Sequence, residues 1–445
     1  MSTDDTRRDE HLDAAGHAGA SETTAADSGG GAVDPGAATT AEDTAATAPA
    51  APPPAAPPAD ETVGNAPERL VPEGEYEPPE DVQDFLINIG PHHPGTHGVM
   101  RLVTRLDGER VAGLDVRIGY MHRSLEKIVE NRSYHQVIAF TDRTADYLAA
   151  MHNDWVYCLA AEKLMGIAVP ERAEYLRVIV GEMNRITSHL MSVGALGLDS
   201  GAPTYFLWTF NAREKLVRLF EEICGARLTY VYMRLGGVIY DAPPGWTGRV
   251  RAALRDVLDE FPSYRNLFHD NYIWHERSKG VSRLTPEEAL RIGAHGPVLR
   301  STGTRWDLRR DMPYSIYDRF EFDIPVGTTG DVYDRTEVRF QEIIESAKII
   351  QQAIEDLPEG PILAPRVPRL PTPAPGEVYA RLESPRGEIG CYLVSDGSMK
   401  PYRMKWRGAS FHNVAMLPAL SVGYTLSDLI NIVGTIDPVM GDVDR

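Results

Sequence analysis

Leu176, Ile179, Met183, Ile186 and Leu190 recur at alternating steps of three and four residues. That is the period of an α-helix burying one face, and it commits the middle of the chain to helix packing. Pro170 suits the first helical position, and Glu171 and Glu174 place acids where the helix dipole favours them. Further helices are predicted at Ala145–Leu164, Pro203–Cys224, Arg249–Phe261 and Arg335–Ile354. Their apolar residues occupy more than one face, so they must pack on one another. A central helical bundle over residues 123–356 follows.

Strands flank that bundle. Phe85–Ile89, Val99–Leu106 and Val111–Ile118 read as strands, with Asp107-Gly108 as a hairpin signal. They predict a small antiparallel β-domain over 81–122. The segment 357–445 opens with a Pro-rich loop, Leu357–Pro375, followed by strands at Gly376–Leu382, Glu388–Val394 and Pro401–Arg407 and one apolar helix, Ala415–Asn431. The fold class is α+β, the C-terminal part being mixed α/β packed on the bundle.

The formal charge of −19 is unevenly spread. Residues 1–80 hold 17 acids against 3 arginines and no lysine, which leaves only five negative charges to the other 365 residues. The tail is rich in Ala, Pro, Gly and Thr, and Tyr76 is its one aromatic. Too poor in apolar bulk to offset chain entropy, it is expected to be disordered. It lacks the apolar core of a secretory signal. No run of about 18 apolar residues occurs, so no bilayer span is expected. The net charge argues against a nucleic-acid partner, although the acidity belongs to the tail and the body is close to neutral. Cys158, Cys224 and Cys391 are scattered and form no C-x-x-C pair. They read as core thiols in a reducing compartment, and a four-thiolate cluster is beyond this chain alone.

Three groups of residues could do chemistry. The loop Gly90–Gly98 carries His93 and His97 among Gly and Pro. It is a tight structural turn or a proton-handling site, since histidine titrates near neutrality unaided. Asp199 sits among small residues just past the apolar helix that begins at Pro170, either as the N-cap of the Pro203 helix or as a site carboxylate. Asp142-Arg143 and Asp146-Tyr147 form a third group, with Tyr147 either a packed ring or a donor.

Taken together, Ile89–Gly98, Gly119–Lys127, Glu182–Leu190, Arg386–Glu388, Asp396–Ser398 with Pro401–Arg403, and Asp437–Arg445 resemble, in order, the 49-kDa (D-type) subunit family of NADH–quinone oxidoreductase, complex I. That family is related to the large subunit of nickel–iron hydrogenases, which implies a hydrogenase-like fold. The resemblance also implies that thiolates once holding nickel are gone: Asp437–Asp442 carries no cysteine, so hydrogenase chemistry is excluded on ligand grounds. No nickel, iron–sulfur cluster or other metal is then expected on this chain.

The resemblance assigns roles residue by residue. His97 matches a histidine at the quinone headgroup, Asp199 its hydrogen-bonding partner and Tyr147 the donor to the other quinone oxygen. His93, Thr96, Asp437 and Met440 fall in the same stretches, and Arg123 matches an arginine near the terminal iron–sulfur cluster, which a neighbouring subunit holds. The implied activity is electron transfer from that cluster to quinone in a proton-translocating enzyme, with NADH, FMN and the clusters on partners. The implied partners are complex I subunits B, C, I, H and A, of which the B-type one carries the terminal cluster. Membrane contact runs only through them, on the cytoplasmic face of the cell membrane. Two other readings stand beside this one: the same chain in a complex fed by reduced deazaflavin or ferredoxin, or a scaffold without chemistry.

Two departures from the family pattern matter. Thr141–Tyr147 is one residue longer than the usual run, and inside a helix one insertion turns the following residues by about 100°. Thr229 stands where the family places a histidine beside the cluster, and threonine cannot titrate there. The chain should therefore serve a lower-potential cluster suited to menaquinone and belong to a divergent paralogue. A strongly pH-dependent, high-potential cluster in a redox titration would contradict this.

Overall fold

The computed structural model describes residues 85–445. The expectations for the acidic tail and for residues 81–84 lie outside them. The N-terminal sheet has the order β1-β2-β3, with β1 Phe85–Ile89, β2 Arg101–Asp107 and β3 Arg110–Arg117, all antiparallel. The hairpin signal holds: Asp107 pairs with Arg110 around Gly108, whose φ of +58 is easy only for glycine. A second sheet joins Gly376–Ser384, Gly387–Ser395 and Arg403–Arg407 in sequence order. Helices dominate the remainder, so the protein is a helical body with small antiparallel sheets.

The apolar stripe lies on the longest helix, Glu171–Asp199, and its five residues are all buried. Elements α1 (Leu125–Val129), α2 (Tyr134–Thr144) and α3 (Ala150–Met165) precede this helix, α4, and α5 (Pro203–Cys224) follows. Around α4 pack α3, α5, the Val332–Glu355 helix and the Leu426–Ile436 helix. Pro203 opens α5 as expected, whereas Pro170 stands one place outside α4 as its cap. Trp246–Tyr264 and Val332–Glu355 extend the helices read at Arg249 and Arg335, the latter capped by Asp331, whose side chain accepts from the Asp334 N–H.

Three expectations need correction. The helix expected over Ala145–Leu164 begins at Ala150, because Ala145 breaks from helical geometry (φ −96°, ψ −129°). The Asp146 carboxylate then accepts from the N–H groups of Leu148 and Ala149, a local bond that competes with helix continuation. Asp199 does not cap α5; it is the last residue of α4, and the α5 cap is Ala202. The single helix expected at Ala415–Asn431 is several short ones, Ala409–Val414, Leu417–Ser421 and Leu426–Ile436. Pro418 opens the second, Gly423 turns at φ +90, and Thr425 with Asp428 forms a capping box that starts the third. Among the described residues no helix is long and apolar enough to cross a membrane.

Candidate functional site

The His loop leaves β1 and folds into a single turn, Pro94–Thr96, ending at His97 in the left-handed region, φ +52. Histidine is among the residues that tolerate that region, and the turn closes with the His97 N–H donating to the Pro94 carbonyl at 3.0 Å. Thr96 is buried, and its hydroxyl bonds the carbonyls of His93 and Gly98 at 2.7 and 2.6 Å. His93 is exposed, and its Nδ1 accepts from the Gly95 N–H at 3.1 Å. His93 and Thr96 thus act on the shape of the loop.

The loop is pressed onto the Leu426–Ile436 helix and Met440. A Cβ added at Gly95 would lie 2.9 Å from Ile430, one at Gly98 2.6 Å from Met440, and one at Gly434 3.3 Å from His97 Nε2. Small residues at these points let the imidazole sit on the helix backbone. There Nε2 of His97 meets Oδ2 of Asp199 at 2.5 Å, with side chains only 9% and 7% exposed. Residues 102 apart in sequence become one buried ion-capable pair because α4 ends where the loop lands.

This pair opens onto a cavity of about 220 Å3. Tyr147, Leu148, Asp437, Pro438 and Val439 line it with His97 and Asp199. From α4, Met191, Ala195 and Leu198 complete the wall at helical spacing. Tyr147 reaches it from the break between α2 and α3, three residues past the last helical residue, Thr144. Burial raises the Tyr147 phenol above its ordinary value, with the Asp146 charge adding to the rise and Arg386 and Arg123 opposing it. The phenol is held neutral.

The floor behind Tyr147 is a charge cluster that the sequence did not reveal. Arg386 is buried, and it bonds Asp146, Ser188 and Asp437. Asp437 takes a left-handed corner, φ +56, at the end of the Leu426–Ile436 helix. Burial pushes the Asp146 carboxyl up to about 6 against the pull of Arg386. Asp442, which accepts from the Ser410 N–H and the Trp406 indole, is likewise raised by burial. Arg386 belongs to the Arg386–Glu388 motif, and its partners are up to 240 residues away, beyond any local signal.

Arg123, Thr229 and Met440 do not line the cavity. Arg123 is exposed beside α1. Thr229 is half-buried in a loop at φ +54, a strained position for a β-branched residue, two places before Val231 at φ +46. The Val231 backbone N–H helps lower the otherwise raised Asp142 carboxyl, so that loop sits by Asp142-Arg143. Met440 is buried against the His loop. Cys158 and Cys391 are buried, with burial raising both thiols, and Cys224 donates to the Phe220 carbonyl. Among the described residues no group of three or more His, Cys, Asp or Glu is arranged to hold a metal ion.

Comparison with known proteins points to one family. A family model described as the respiratory-chain NADH dehydrogenase 49 Kd subunit matches residues 199–374 and 366–445. The chain is 50% identical over 363 residues to the NADH-quinone oxidoreductase D-type subunit of Bacillus anthracis, covering 81% of this chain and 99% of that protein. It is 48% identical over 383 residues to the second such D-type subunit of Symbiobacterium thermophilum, covering 82% and 99%. The D-type subunit of Geobacillus kaustophilus is 50% identical over 363 residues, covering 81% and 98%.

Proposed function

Because the chain belongs to the 49-kDa subunit family and is a subunit of an NADH–quinone oxidoreductase, we propose that its cleft binds a quinone headgroup and supplies protons for reduction. The observation that carries this reading is the His97–Asp199 pair facing the same cavity as Tyr147. A cavity of about 220 Å3 is below the roughly 300–1,000 Å3 of ordinary small-molecule pockets. It has room for a ring and leaves an isoprenoid tail outside.

A quinone becomes a quinol by taking two electrons and two protons, one proton on each oxygen. A terminal iron–sulfur cluster on the B-type partner would supply the electrons. With Nε2 tied to Asp199, Nδ1 of a protonated His97 is the atom that gives a proton to one oxygen. The Tyr147 phenol gives its proton to the other, and both groups recover protons from water before the next turnover. Donors fixed beside the developing oxyanions lower the barrier because they need no rearrangement as charge forms. Asp199 orients the ring and is left as an uncompensated carboxylate once His97 is neutral. That charge is a trigger for proton translocation in the membrane part.

Relatives bearing the NADH-quinone name favour NADH over deazaflavin or ferredoxin as the donor. Subunits B and C would cover the body, with I, H and A linking it to the cytoplasmic face of the membrane. The substrate would be menaquinone, in keeping with Thr229. In assembled complex, H97A, Y147F and D199N should each lower quinone reduction by roughly 10²-fold or more. NADH oxidation by an artificial acceptor should stay intact. Full quinone activity in all three would leave the chain a scaffold.

A further inference from the structure

Arg386 projects from the tight turn between the Gly376–Ser384 and Gly387–Ser395 strands, and its guanidinium is buried. The bonds of that guanidinium go to the cleft wall or to residues close behind it. Nη1 donates to Oδ2 of Asp146 at 2.8 Å and to the Ser188 hydroxyl at 3.0 Å. Nη2 donates to Oδ1 of Asp437 at 3.1 Å, and Nε to the Asp437 carbonyl at 2.9 Å. Asp146 immediately precedes Tyr147, and Asp437 itself lines the cavity. A single planar group therefore ties the α2–α3 break, the middle of α4 and the C-terminal corner to one another.

The turn that carries Arg386 has no freedom to follow a displaced partner. A Cβ at Gly387 would lie 2.4 Å from His295 Nδ1 and 2.7 Å from the Gly296 nitrogen. A Cβ at Gly296 would meet the Arg386 carbonyl at 2.5 Å. The Asn413 amide donates to the same carbonyl at 3.3 Å. The guanidinium is thus a fixed reference against which the two cleft-lining segments are held. Its fork geometry is something a lysine ammonium cannot reproduce.

We propose that Arg386 is a positioning residue for quinone reduction, holding the Tyr147 segment and the Asp437 corner in register with His97. It touches no reacting atom and acts through Tyr147. The proposal rests on the reading of Tyr147 as a proton donor and goes beyond it by naming what places that donor.

The test is a cycle in assembled complex with R386M, R386K, Y147F and the R386M/Y147F double variant. If Arg386 works by placing the phenol, R386M should lower kcat by about tenfold or more and move the quinone KM less than about threefold. The double variant should then fall no more than about twofold below the worse single variant, because a misplaced phenol and an absent one cost the same step. R386K should recover only part of the loss. Multiplying losses in the double variant, a rise in KM alone, or full recovery in R386K would overturn the proposal. Should R386M fail to assemble, D146N removes one anchor while keeping side-chain size, and the same cycle with Y147F decides. A fully active Y147F would overturn the donor reading itself, an outcome distinct from multiplying losses.

Discussion

Two buried charge clusters pack against α4, and they are balanced in different ways. In the bundle, Glu182 meets Arg185 and Arg309, both at 3.1 Å, with hydroxyls of Tyr317 and Ser346 adding bonds at 2.6 Å. Asp307 pairs with Arg309 at 2.7 Å, and Glu342 with Arg300 at 2.7 Å and His189 at 2.8 Å. Burial works against ionising these carboxyls, yet the arginines hold Glu182, Asp307 and Glu342 below the usual range. Behind the cleft, Arg386 serves Asp146 and Asp437 with Asp442 close by, and there burial wins: Asp146 and Asp442 are pushed up. Glu383 obeys the same rule inside the bundle, sharing Arg300 with Glu342 and rising to about 6. Glu182, Asp307 and Glu342 each feel two cations and stay charged, whereas for Asp146, Asp442 and Glu383 burial outweighs the cation nearby.

The largest effect should come from breaking the balanced cluster. R309M leaves Glu182 and Asp307 buried with less cation between them. Removing one partner of such a buried pair costs about 3–5 kcal/mol. We expect little assembled complex from this variant, measured as recovery of the chain in the complex and as its thermal midpoint. Normal recovery and an unchanged midpoint would mean that the bundle cluster does not hold the fold.

The difference between the clusters also marks what was legible in the sequence. The stripe from Leu176 to Leu190 and the Asp107-Gly108 hairpin were readable because helix period and turn chemistry act over a few residues. His97, Asp199 and Tyr147 were picked out by motif resemblance, and the fold brings all three to one cavity. The break at Ala145 was missed because Asp146 takes the backbone N–H groups of Leu148 and Ala149, a bond that an apolar pattern does not report. The Ala415–Asn431 helix was misread although Pro418, Gly423 and the Thr425–Asp428 box were visible stops. The role of Arg386 was out of reach because it exists only after strands, α4 and the C-terminus have met. Local rules place elements, whereas a shared buried cation is a property of the tertiary fold.

A smaller effect, in pH dependence, would sharpen the contrast. Burial raises Asp146 from an unfolded value near 3.9 to about 6 in the folded protein. The folded state therefore binds a proton more tightly than the unfolded chain does. The stability this contributes is complete below about pH 4 and is lost as pH rises through 6. Replacing Asp146 by asparagine removes that proton while retaining an oxygen that can accept from Leu148 and Ala149. Thermal midpoints of assembled complex between pH 4.5 and 6.5 should then vary less with pH in D146N than in the parent. Asp442 is shifted in the same direction, so part of the slope should survive. Equal slopes in the two proteins would show that Asp146 is ionised throughout and that Arg386 alone suffices to hold its charge.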